Sequence, residues 1–484
     1  MKKGLYLLFL SAFVAFPAMG QNSFQDKYER FTQQATSSYR NFRKECNDKY
    51  AEFLRQAWEE YKAAPAIPKP KEEELPPVIK DKEDTTPIRD KEVPIDVVVP
   101  IPEVEPQPSP VEPIEEKPVI IPTNFSFKFY GTELNVRAEE NNCFHLASLD
   151  GDSVADIWEK LSGPNYNNII ADCLKIREDH HLCDWAYLQM LLAFSSSFLD
   201  NKNDAIILTA FLYCQSGYKM RLGMTDDSVF LLFASKHQIY ELPYFNIDGT
   251  FYYLLDGEEN SMAVANVVFP SERELSLEIQ QGPALEYSAS PGRAFKSQGY
   301  STIASCNTNL NLINFFGCYP TSQIDDNPMT RWAFYANTPI DAKVKEQLYP
   351  SLIRAIDGKT APEAADVLLD FVQTAFEYEY DDKIWGGDRA FFSEETLYYP
   401  YCDCEDRSIL FSRLVRDLLG LDVVLVYYPG HLATAVKFME YVKGDYISLD
   451  TGRYLVCDPT YIGAPIGMTM PEMDNKSAKV ILLK

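Results

Sequence analysis

The sequence predicts an α+β protein whose last part sets one helix against an antiparallel sheet. Three observations point there. Residues 404–419 repeat apolar side chains at the helical period and stop at Gly420. The runs VVLVYY, LATAVKF and YLVCDPT follow directly, rich in β-branched and aromatic residues. Further upstream, helical patterns around 153–162, 165–176 and 183–200 precede the β-rich runs 229–235, 250–256 and 262–269.

Residues 1–20 carry two lysines, an apolar run from Leu5 to Phe16 and a small-x-small end at Ala18-Met19-Gly20. This is a secretory signal pattern, too short for a membrane span, with cleavage near Gly20. Its two-Lys, short-core form is of the bacterial kind, so the expected location is secreted or periplasmic. No other stretch is apolar and long enough to span a bilayer, and no transmembrane segment is expected. Export puts the ten cysteines in an oxidising setting that favours pairing. Cys306 with Cys318, and Cys173 with Cys183, are the local candidates. The 484 residues suffice for two or three domains, and a formal charge of −26 without a basic stretch excludes a general nucleic-acid or anionic-membrane binder.

In residues 21–63, Tyr28, Phe31, Tyr39, Phe42, Tyr50, Phe53 and Tyr61 recur with gaps of three and eight. An eleven-residue repeat spans three helical turns, so the rings line one face of a long amphipathic helix or helical pair. That face either docks a partner or packs on the rest of the chain. Residues 64–123 form a Pro-rich acidic linker; positions 65–122 hold 15 of the 31 prolines, 14 acidic and 7 basic residues. Such a segment is expected to be extended and mobile, a spacer. The globular part begins near Asn124, with one unit over 124–259, a β-rich insert over 260–339 and a last domain over 340–484.

The chemistry concentrates in the last domain. Asp403 is a plausible N-cap, which places Cys404 in the first turn of the helix. A thiol there meets the positive end of the helix dipole and orphan N–H groups, which favour thiolate and suit a developing oxyanion. A thiol nucleophile needs a base, and the base needs orienting. Of five histidines, only His431 lies in the C-terminal half; it follows the turn Pro429-Gly430 and opens a strand. Asp458 ends the next strand, where a neighbouring antiparallel strand can bring its carboxylate beside the imidazole. A zinc-like set of Cys402, Cys404, His431 and Cys457 is the competing use of the same residues.

The ordered pattern DCEDRSILFSRLVRDLLGL, GHLATAV and CDPTY resembles the transglutaminase-like superfamily, a papain-like group of Cys-His-Asp enzymes, over roughly residues 365–467. The resemblance implies Cys404 as nucleophile, His431 as base and Asp458 as orienter, with Trp385, Tyr398 and Tyr399 as oxyanion candidates. It implies a cysteine peptidase or amidase acting on protein or peptide substrates, without cofactor or metal. A cross-linking transglutaminase and a non-catalytic scaffold are the alternatives. Cys402 and Cys457 depart from the family pattern by standing where a second thiol can oxidise.

A shift of 202 residues lays Asp204 on Asp406, Ile207-Leu208 on Ile409-Leu410, VFLLFAS on HLATAVK, Tyr252 on Tyr454 and Asp256 on Asp458. Residues 124–259 are therefore expected to be a degenerate copy of the last domain. Lys202 and Val229 occupy its nucleophile and base positions, so it cannot run the same chemistry. Asp179-His180-His181 reads as an exposed polar turn, and the EYEYDD run at 377–382 as a solvated helix end.

Overall fold

The computed structural model describes residues 42–56, 58–71, 75–81, 87–101, 107–111, 125–471, 473 and 476–484. The expected signal segment and the start of the aromatic repeat lie outside them. Among the described residues, no helix is long and apolar enough to cross a membrane.

Two six-stranded sheets organise the mixed α+β chain. In the first, Trp58–Lys62, Ser261–Ala265, Met220–Met224, Val229–Ala234, Thr250–Leu254 and Tyr244–Ile247 lie side by side, all antiparallel. In the second the order is Ile95–Val99, Ala478–Leu482, Val423–Tyr428, His431–Val436, Gly452–Cys457 and Tyr446–Leu449. Only its Ile95–Val99 strand is parallel to its neighbour. The strand orders correspond position for position. Adding 202 to Val229–Ala234 gives His431–Val436, and adding it to Tyr244–Ile247 gives Tyr446–Leu449. The helices Lys202–Gln215 and Cys404–Leu419 begin at the same offset.

The two halves share a hydrophobic core. Leu425, Tyr427, Leu432 and Ile481 of the second sheet, with Ile409 of the last long helix, join the helices and sheet of the first half. A second core lies between the same sheet and the helices Ala342–Ile356, Ala361–Thr374 and Cys404–Leu419. The Ala361–Thr374 helix starts at a reciprocal capping box between Thr360 and Glu363. Burying both faces of the second sheet explains why VVLVYY is a continuous apolar run rather than an alternating one.

Several sequence expectations need correction. Residues 42–54 are helical, but the aromatic segment does not stay so: Trp58–Lys62 is an edge strand paired with Ser261–Ala265. The Pro-rich linker is not a free spacer where it is described. Ile95–Val99, flanked by Pro94 and Pro100, adds a strand to the second sheet, where edge positions tolerate proline. Val78–Ile79 pairs with Tyr461–Ile462, and Asp90 bonds both Arg453 and Tyr441. The described parts of the segment form a strap over the globular part. Residues 260–339 are not uniformly β-rich: their first strand belongs to the first sheet, and the Arg293–Lys296 and Ile303–Cys306 hairpin is followed by helices Leu310–Gly317 and Thr330–Asn337. All ten cysteines are described and none is bridged, so neither Cys306 with Cys318 nor Cys173 with Cys183 forms a disulfide.

Candidate active site

Asp403 caps the helix that presents Cys404. Its carboxylate accepts from Asp406 N–H, the Asp406 carboxylate accepts from Asp403 N–H, and Gly420 ends the helix in the left-handed region at φ 65°. Asp406 also accepts from Phe391 N–H at 2.8 Å, tying the helix start to the preceding loop. One turn on, the Ser408 hydroxyl donates to Leu432 O at 2.8 Å. That bond fixes the thiol's helix to the residue beside His431.

His431 opens its strand after a two-residue turn in which Gly430 takes φ 77°. Register pairs Thr434 with Cys457, which leaves Asp458 just past the strand end and alongside His431. His431 Nε2 and Asp458 Oδ2 are 2.9 Å apart, and Asp458 Oδ1 accepts from the N–H groups of Thr460 and Tyr461. A carboxylate only accepts, so Nε2 carries the hydrogen and donates it. The neutral ring then has its lone pair on Nδ1, which is buried and has no hydrogen-bond partner. Cys404 and His431 line one cavity of about 450 Å³, together with Glu405, Trp385, Arg389 and Lys69.

Of the three oxyanion candidates, Trp385 alone lines the cavity. Tyr398 and Tyr399 do not; Tyr399 packs against Trp385 and Phe391, and the Arg389 guanidinium lies over all three rings. The zinc-like cysteine set does not assemble. Among the described residues, the groups near enough to share an ion are acidic instead: Asp381 with Asp403 and Asp406, and Asp381 with Asp388 and Glu405. Asp381, expected in a solvated helix end, is buried. His180 lies in an exposed turn and bonds Ala284 O.

The sequence reading missed two features at the thiol. Glu405 is buried, and the Cys404 thiol donates to its Oε2 at 3.2 Å. A carboxylate at that distance works against a thiolate and opposes the helix dipole. Its position next to Cys404 was the available signal. Burial, with Asp381, Cys402 and Glu405 nearby, pushes the Asp406 carboxyl well above its ordinary range. The second feature is the strap. Pro68, Lys69, Pro70 and Lys71 form one wall of the cavity; Glu241 N–H donates to Ile67 O, Lys69 donates to Asp388 O, and Leu75 N–H donates to Gly430 O. No local signal couples residues 67–75 to a turn more than three hundred positions away.

At the offset of 202, Lys202 Nζ and Asp256 Oδ2 form an ion pair at 2.9 Å, so the first half joins by charge the positions that Cys404 and Asp458 occupy in the second. Comparisons with family models, with curated proteins and with solved structures find no match for this chain.

Proposed function

We propose that the protein is an exported thiol-dependent acyl-transfer enzyme of the transglutaminase-like kind, hydrolysing amide bonds in peptides. The observation that carries this reading is the His431–Asp458 hydrogen bond, which leaves a partnerless Nδ1 on a ring lining the same cavity as Cys404. Nδ1 takes the thiol proton, and Asp458 stabilises the resulting imidazolium. The thiolate adds to the amide carbonyl carbon. The C–N bond then breaks, the amine leaves with the proton from Nδ1, and a thioester remains on Cys404. Water, losing a proton to Nδ1, attacks the thioester and releases the acid, and the thiol regains that proton. Hydrolysis is favoured over cross-linking because water is the abundant acyl acceptor in an exported setting.

The matching strand orders support reading residues 124–259 as a degenerate copy that now serves as a packing partner. The test is hydrolysis of a mixed peptide pool by the full chain and by Cys404→Ala. Cleavage lost in the variant supports the enzyme; equal cleavage or none in both rejects it. A second reading, a scaffold without catalysis, is favoured by the Glu405 carboxylate on the thiol, and predicts that no acyl adduct forms at Cys404.

A further inference from the structure

The structure assigns Gln373 as a positioning residue that couples the nucleophile's helix to the loop of the orienting acid, an inference that rests on the catalytic reading above. Gln373 lies in the last turn of the Ala361–Thr374 helix and is fully buried. The two N–H groups of its amide face three main-chain oxygens, those of Asp458 at 2.9 Å, Tyr461 at 2.8 Å and Ala464 at 3.0 Å, so one N–H is shared between two of them. Its Oε1 accepts from Gly463 N–H at 3.0 Å. One side chain therefore holds four backbone groups of the turn that begins at Asp458. These groups lie in the turn after Asp458 and the short strand Tyr461–Ile462, and need partners once buried.

The other end of the coupling runs through Arg407, three residues after Cys404. Its guanidinium donates to Gln373 O at 3.1 Å and to Phe376 O at 2.9 Å, satisfying carbonyls at the C-terminal end of the same helix. Gln373 thus receives the thiol's helix on its main-chain oxygen and the acid's loop on its amide. Cys404 and Asp458 are held in one frame although neither bonds the other. A shift of the loop would move Asp458 Oδ2 off His431 Nε2 and free the ring to turn. Reaction rates are steep in such displacements, on the order of 100-fold for 1 Å.

The test uses the full chain and Gln373→Met, which keeps the length of the side chain and removes every side-chain hydrogen bond. Two quantities are read: kcat and KM on a peptide cleaved by the wild type, and the pH profile of iodoacetamide alkylation at Cys404. The expected result is a kcat lower by about 100-fold with KM changed less than about two-fold. The midpoint of the alkylation profile is expected to rise, because a misplaced imidazole no longer supports the thiolate. Should Gln373→Met fail to fold, Gln373→Glu replaces it, keeping the Gly463 acceptor and removing both amide donors. A folded variant with kcat and alkylation midpoint both unchanged overturns the assignment and leaves the enzyme reading standing. A wild type without Cys404-dependent turnover overturns both.

Discussion

Replacing Glu405 with glutamine removes the charge nearest the sulfur while keeping an oxygen that can accept from the thiol. The Cys404 Sγ to Glu405 Oε2 distance is 3.2 Å. At an effective dielectric near 20, two unit charges at that distance repel by about 5 kcal/mol. On the cavity wall Lys69 pairs with Glu241 and Arg389 with Glu395, and Lys71 and Arg331 line it as well. The expected outcome for Glu405→Gln is a downward shift of the Cys404 alkylation midpoint by at least about 1 unit. Alkylation rates against pH, with Cys404→Ala as the blank, provide the assay. A midpoint that stays put or rises would refute the claim that this carboxylate restrains the nucleophile.

Three further outcomes are expected. Asp458→Asn leaves the Thr460 and Tyr461 N–H groups an acceptor but weakens the hold on Nε2–H, and steady-state kinetics should show kcat falling by about 100-fold or more. Burial pushes the Glu394 carboxyl up to about 7 from an ordinary 4.5. Below the ordinary value it is protonated folded or unfolded; as pH climbs towards 7 the unfolded chain loses the proton first, so stability falls, by on the order of 3 kcal/mol. Denaturant melts should therefore show Glu394→Gln more stable than wild type at pH 8 and no gain at pH 4; equal gains at both would contradict the assignment. Replacing residues 67–71 by Gly and Ser removes the strap wall of the cavity, and cleavage of long peptides should rise relative to short ones; an unchanged ratio would deny the strap a part in selection.

The parts of the molecule readable in advance are those specified by neighbours in sequence. The Asp403 cap, Cys404 in the first turn and the stop at Gly420 follow from residues within one helix. The turn at Pro429-Gly430 and period-two register then place His431 and Asp458 side by side. What escaped depends on partners far away. Tyr61 closes a helical repeat of rings, yet its strand Trp58–Lys62 pairs with one about two hundred residues on, and pairing of that range leaves no local mark. The strap reads as a spacer because prolines remove donors, while its non-proline residues still supply enough to line an edge. Glu405 was visible beside Cys404, but its burial with Asp381 and Asp388 arises from the loop folding back over the helix start.

The most direct test of the central claim is intact-mass and peptide mapping after brief exposure to an amide-bearing thiol probe at neutral pH without reductant. The account predicts one adduct, at Cys404, slowed in His431→Ala and absent in Cys404→Ala. It predicts this even though Cys404 is buried and Cys143 and Cys318 are exposed. Labelling confined to Cys143 and Cys318, or at Cys404 with no dependence on His431, would contradict it.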